Sequence, residues 1–239
     1  MNIIECTDVS KTYQQGKMQV PALKGVTFSI AKGGFVALAG PSGSGKTTLL
    51  NIIGGLDSAD SGNILLDDSP LNEMNQSQLA DMRLHKVGFV FQAYNLIPVL
   101  SALENVEFVM LLQGTPATER RERAETILDD VGLEGLYDRR PAELSGGQHQ
   151  RIAVARAIVS NPSIVLADEP TANLDSTTGK GLLEMMKEMN EKKNVTFIFS
   201  THDRMVMDYA RRLVKLRDGE IADDQTKDDQ TRDDQTKQN

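Results

Sequence analysis

The chain has 239 residues, of which 39% are apolar and 25% charged, and its formal net charge is −8 at pH 7. That length and composition allow one large globular core, or a core with a smaller inserted unit, and exclude a disordered chain. The acidic balance argues against a nucleic-acid partner held on a basic face, and no stretch approaches 18 uninterrupted apolar residues, so no membrane-spanning helix is expected.

The start, MNIIECTDVSKTY, lacks a basic segment followed by an apolar one, so a secretory signal is not expected. Ile3 to Val9 and Val26 to Ile30, joined through Gly16 and Pro21, read as antiparallel strands at one edge. Phe35 to Ala39 is a continuous apolar run, followed by glycines and then by helical character from Thr47 to Ile53. Val87 to Phe91 is strand-like. From about 93 to 160 the pattern is almost purely helical. Thr115 and Pro116 read as a cap and first-turn proline, Ala124, Ile127, Leu128 and Val131 follow at helical spacing, and Gly132 ends the run. Ser163 to Ala167 and Val195 to Ser200 are two more apolar runs. Runs of this length suit strands covered on both faces, and helices between them predict an α/β fold: a mainly parallel sheet with crossover helices, an N-terminal antiparallel edge and an inserted helical subdomain at 93–160. Asp223 to Asn239 is a five-residue repeat, DDQTK DDQTR DDQTK QN, without an aliphatic or aromatic side chain. It reads as a disordered acidic tail behind a domain of residues 1–222. The single cysteine, Cys6, leaves no disulfide framework or cysteine zinc cluster, which fits a reducing cytoplasm.

Chemistry concentrates at the ends of the apolar runs. Gly40, Pro41, Ser42, Gly43, Ser44, Gly45, Lys46 and Thr47 match G-x-x-x-x-G-K-[ST] between a strand and a helix. Glycines let successive backbone N–H groups converge on phosphate oxygens, Lys46 reaches the β- and γ-phosphates, and Thr47 ligates Mg²⁺. Ser163 to Asp168 runs into two carboxylates. In a parallel sheet Asp168 emerges beside the phosphate loop and can hold the magnesium shell, while Glu169 can polarise a water in line with the γ-phosphate. Gln92 and His202 each follow a strand and are expected near the same phosphate, Gln92 as a magnesium or water ligand. Leu144-Ser145-Gly146-Gly147-Gln148 opens a helix whose apolar side is Ile152, Ala153, Val154, Ala157, Ile158 and Val159, and forms a second anion site. Either each chain binds two phosphates or two chains share each nucleotide.

In this order the motifs resemble the nucleotide-binding subunit of an ATP-binding-cassette transporter, over roughly Ile3 to Ile221. GPSGSGKT, continued by Thr48, is similar to Walker A; Ser163 to Glu169 to Walker B with the catalytic glutamate; and LSGGQ at 144–148 to the signature motif. Gln92 resembles the Q-loop glutamine, His202 the switch histidine, Asn173-Leu174-Asp175 the D-loop, and Tyr13 the aromatic that stacks on adenine. The resemblance implies a P-loop NTPase fold and a homodimer that sandwiches two ATP–Mg²⁺, each signature facing the other chain's Walker A. Ile52 to Asp57, Phe91 to Pro98 and Ala102 to Val106 are similar to ATPases of macrolide exporters and lipoprotein-release complexes, and cell-division ATPases are close alternatives. This implies a permease with a large extracytoplasmic domain and a place at the cytoplasmic face of the inner membrane. Ala172 departs from the glycine common before Asn-Leu-Asp. A small-molecule P-loop kinase would have no use for LSGGQ. His85, His149 and His202 lack zinc-ligand spacing.

Overall fold

The computed structural model describes residues 1–227. A long hairpin opens the chain, β1 (Asn2–Gln15) and β2 (Met18–Ala31), turning at Gly16 and Lys17. Then come β3 (Phe35–Ala39), α1 (Lys46–Ile53), β4 (Ser61–Leu66) and the short β5 (Ser69–Pro70). Next are α2 (Gln76–Lys86), β6 (Val87–Val90), α3 (Ala102–Leu112), α4 (Ala117–Asp130) and α5 (Gly146–Ile158). The chain continues through β7 (Ile164–Asp168), α6 (Ser176–Lys193), β8 (Thr196–Thr201), α7 (Arg204–Tyr209), β9 (Arg212–Arg217) and β10 (Glu220–Thr226).

Six strands form the central sheet in the order β10-β9-β3-β8-β7-β6, parallel except for β10. Every residue of β3 and β8 is buried, which is why these strands read as unbroken apolar runs. Side chains alternate between the faces. Phe35, Ala37, Val165, Ala167, Phe197 and Phe199 join the buried side chains of α3 to α6, such as Val106, Leu128, Ile152 and Leu183. Val36, Leu38, Ile164, Leu166 and Ile198 join α1 and the N-terminal strands. The helices between β6 and β7 therefore share the core of the sheet. Ser101 caps α3 and Ser145 caps α5, each through a reciprocal bond with the side chain three residues on. Thr115 takes no capping role: Pro116 occupies the N-cap position of α4 without a side-chain bond.

The antiparallel strands at the N-terminus are present, but they are not laddered onto the margin of the central sheet, which they meet through the Arg212 guanidinium bond to the Ser29 carbonyl and the Lys24 N–H bond to the Gly219 carbonyl. They pair with a strand the sequence did not announce, in a separate sheet of order β2-β1-β4-β5, and bury Ile3, Ile4, Val26 and Ile64 over α1. The C-terminal segment departs from the expected disordered tail. The first repeat unit is part of β10, paired to β9, and the expected boundary at 222 falls inside that strand. Arg212 donates both Nε and Nη2 to the two carboxylate oxygens of Asp224, at 2.8 and 2.7 Å, and Lys215 pairs with Asp223 at 2.9 Å. Ionic pairing with β9 orders a segment that has nothing apolar to bury. The rest of the repeat, 228–239, lies outside the described residues.

The hydrogen bonds from Arg212 hold the Asp224 carboxyl below its ordinary pKa, so their contribution to stability is present at neutral pH and is lost as pH falls through the depressed value. Asp224→Asn should lower stability at pH 7 by about 0.5–1 kcal/mol, and the deficit should shrink in acid below the usual aspartate range. Thermal denaturation of both proteins across pH 2–7 measures it.

Candidate nucleotide site

The parallel strands deliver their carboxyl ends to one edge. Ala39 of β3 is level with Thr201 of β8, Asp168 of β7 with Ser200, and Val90 of β6 with Ala167. The segments that leave these ends carry Walker A, Gln92, Asp168–Glu169 and His202, and together they border a cleft of about 640 Å³. Its lining includes Tyr13, Pro41, Ser42, Gly43, Gly45, Lys46, Thr47, Thr48, Gln92, Asp168, Glu169 and His202.

The loop 40–45 is shaped by glycine where no other residue fits. Gly40 has φ 155°, and a Cβ there would lie 2.2 Å from the Leu216 carbonyl oxygen. Gly45 has φ 99°, and a Cβ there would lie 2.5 Å from the Ala22 carbonyl oxygen. No side chain caps α1, so its first-turn N–H groups remain free for an anion. Lys46 is 6% exposed and donates from Nζ to the carbonyls of Gly40 and Pro41 at 2.8 and 2.9 Å. Burial pushes its pKa below the ordinary value, while Glu169 and Asp168 pull the other way. Gly40 and Ser44 are not at the cleft surface. Gly40 lies against Leu216, and Ser44 is buried beneath the loop.

Across the cleft, the Thr47 hydroxyl donates to the Asp168 carboxylate oxygens at 3.2 and 3.4 Å. With Gln92 this is an oxygen-only donor set, suited to a hard divalent cation that takes its remaining ligands from a bound phosphate and water. No cluster of three His, Cys, Asp or Glu among the described residues could hold a metal alone. Glu169 sits in the left-handed region at φ 47°, with its N–H bonded to the Ser200 carbonyl at 2.9 Å. Its carboxylate is held twice, by the Thr201 hydroxyl at 3.2 Å and by His202 Nδ1 at 2.6 Å. The Glu169 side chain is 15% exposed and that of His202 70%, so a largely covered carboxylate lies next to an exposed imidazole.

Comparison with known proteins agrees with this geometry. A family model described as ABC transporter matches residues 23–172. This chain belongs to the ABC transporter ATPase family. An ABC transporter ATP-binding protein of Thermotoga maritima is 46% identical over 219 residues, covering 92% of this chain and 93% of that one. The macrolide export ATP-binding/permease protein MacB of Syntrophobacter fumaroxidans is 46% identical over 223 residues, which are 92% of this chain but 31% of that protein. The chain thus spans about a third of that relative's length. A solved structure of the ATP-binding cassette MJ0796, from Methanocaldococcus jannaschii, described as a dimer bound to ADP and Pi, superposes with a TM-score of 0.86 at 42% identity over 93% of this chain and 98% of that chain. The chain is therefore a nucleotide-binding ATPase of the cassette type, and the kinase reading is set aside.

One group of expected site residues stays outside the cassette's cleft. Ser145, Gly146, Gly147 and Gln148 do not border it within the chain. The Ser145 hydroxyl accepts from the Gln148 N–H at 3.3 Å, and the Gln148 amide oxygen accepts from the Ser145 N–H at 2.8 Å, so both side chains serve the start of α5. Asp175 likewise caps α6, accepting from the N–H groups of Thr177 and Thr178. Sequence reading missed several supports of the cassette's site. Asn173 donates to the Gln92 carbonyl at 2.8 Å, and Arg156 donates to the carbonyls of Tyr94 and Asn95 at 2.9 and 2.6 Å. These join segments more than 60 residues apart, and no local pattern carries them. Only Thr201, directly before His202 at a strand end, had a readable signal.

Gly45→Ala should strain the loop against Ala22 and cost roughly 2 kcal/mol or more, with a fall of several degrees in Tm and loss of ATP binding. Calorimetric melting and nucleotide titration of the variant check it.

Proposed function

We propose that this cassette hydrolyses ATP with Mg²⁺ as a homodimer and drives a separate membrane permease of the macrolide-export or lipoprotein-release type. The observation that carries the reading is the split of the site. Lys46, Thr47, Gln92, Asp168, Glu169 and His202 share one cleft, while the Ser145 end of α5 is outside it. A triphosphate in that cleft meets cation, amides and base on one side only. A second copy that presents Ser145, Gly146 and Gly147 supplies anion-binding amides from the other side. The dimeric form of the related MJ0796 cassette supports this pairing.

In the proposed reaction Lys46 and the first-turn amides of α1 bind the phosphates, and Tyr13 stacks on the base. Glu169, fixed by Thr201 and His202, orients the attacking water and receives its proton. Thr47, Gln92 and Asp168 would hold Mg²⁺, which neutralises charge on the β- and γ-phosphates when bound. His202 and the second copy's Ser145 add donors for charge developing on the γ-phosphoryl group. Hydrolysis removes the phosphate shared by the two copies, so closure and opening follow the nucleotide state.

No helix among the described residues is long and apolar enough to cross a membrane. The MacB relatives, whose names join an ATP-binding part to a permease, support a permease partner; its large extracytoplasmic domain, and a place for this chain at the cytoplasmic face, are proposed on the resemblance of residues 52–57, 91–98 and 102–106. The surface we assign to that partner is an apolar groove of about 600 Å³ lined by Leu56, Phe89, Phe91, Val109 and Leu112. It lies beside the segment that leaves Gln92, so strain there reaches the phosphate site over a few residues.

Glu169→Gln should keep ATP affinity within about twofold while reducing hydrolysis at least 100-fold, and should sediment as a dimer with ATP and Mg²⁺. A monomer under those conditions would count against the shared site. Lys46→Ala should lose most ATP affinity in the same titration, and unchanged binding would remove the Walker A assignment.

A further inference from the structure

Asp57 lies four residues beyond the end of α1, the helix whose first turn holds Lys46 and Thr47, and its side chain meets Tyr13, which borders the cleft. The Tyr13 hydroxyl donates to Asp57 Oδ2 at 2.6 Å. Asp57 Oδ1 takes the Lys11 ammonium at 3.0 Å and the N–H of Ser58 at 2.7 Å. Lys11 is only 9% exposed, and its Nζ also donates to the Ser58 carbonyl at 2.6 Å. That ammonium stands 5.3 Å from the centre of the Tyr13 ring, inside the range of a cation–π contact. Asp60 takes the Thr12 N–H at 2.7 Å and so ties the same strand to the same turn.

These contacts do more than a half-buried tyrosine needs. Tyr13 sits near the turn of the β1–β2 hairpin, opposite Val20, and is 38% exposed. A two-stranded end of that kind is weakly held on its own. Here the ring is fixed at its hydroxyl and covered on one face by a cation, which leaves the other face for a flat partner.

We infer that Asp57 and Lys11 are positioning residues that clamp the Tyr13 ring, at a set distance from the phosphate loop, as the stacking wall for the nucleotide base. The inference rests on the proposed role of Tyr13. α1 carries the phosphate-binding turn at its start, and the turn that follows its end is tied back to it by the N–H groups of Leu56 and Asp57, both bonded to the Asn51 carbonyl, so the helix and this turn space the two subsites. The Tyr13 and Lys11 bonds also hold the Asp57 carboxyl below its usual pKa against the opposing effect of burial, so the clamp carries a carboxylate at neutral pH.

The test uses the full chain and two ligands, ATP and inorganic tripolyphosphate, titrated by calorimetry. Tripolyphosphate has no base and reports on the phosphate loop alone. Asp57→Ala should weaken ATP about fivefold and leave tripolyphosphate affinity unchanged, because only a stacking contact worth about tenfold or more is loosened. Asp57→Asn, which keeps polar contact with both neighbours, should recover most of the loss. If Asp57→Ala does not fold, Lys11→Met should show the same selectivity at about two- to threefold. Unchanged ATP affinity, or an equal loss for both ligands, overturns the clamp. Tyr13→Ala separates this failure from that of the base-stacking reading. If Tyr13→Ala weakens ATP and Asp57→Ala does not, the clamp alone fails. If Tyr13→Ala leaves ATP binding intact, base stacking fails and the clamp falls with it.

Discussion

Parallel pairing of five strands is the constraint on which the rest depends. Parallel strands in register present their carboxyl ends together, and here Ala39, Val90, Asp168 and Thr201 end at one edge. The residues that border the cleft leave from those four ends or face them across it. β8 lies between β3 and β7, which separates the glycine loop from the acidic pair by one strand. An antiparallel arrangement of the same strands would scatter these groups over two edges.

Burial on both sides makes that edge rigid. The alternating residues of β3, β7 and β8 enter two cores, one under α1 and the separate antiparallel sheet, the other under α3 to α6. Since the helices between β6 and β7 share a core with the sheet, the segment after Gln92 is anchored at both ends. Asn173 and Arg156 then tie it to the loop after β7 and to α5. These hydrogen bonds to backbone carbonyls connect the groove beside Phe91 with the Gln92 end of the cleft and with the helix that starts at Ser145.

Legibility in the sequence followed the range of the interaction. GPSGSGKT, the apolar strand ending at Asp168–Glu169 and the LSGGQ helix start were readable because each is a local pattern with a local physical cause. The pairing of β1 with β4 was not, since it joins distant segments through backbone bonds that leave little trace in composition. β10 was misread for a related reason. Hydropathy sees no core former in DDQT, whereas Arg212 and Lys215 on the neighbouring strand order it by charge. Tyr13 was noticed as an aromatic near a hairpin, but its partner Asp57 lies 44 residues away.

By itself the sequence determined the chemistry on offer: a glycine loop able to take phosphate, a lysine, a hydroxyl, two adjacent carboxylates, and helix starts with free amides. These follow from residue type and short spacing. Only the tertiary structure decided which of them meet. It gathers Lys46, Thr47, Gln92, Asp168, Glu169 and His202 around one cleft and leaves Ser145 outside, because strand order and register, which arise from packing over the whole chain, set where each strand ends.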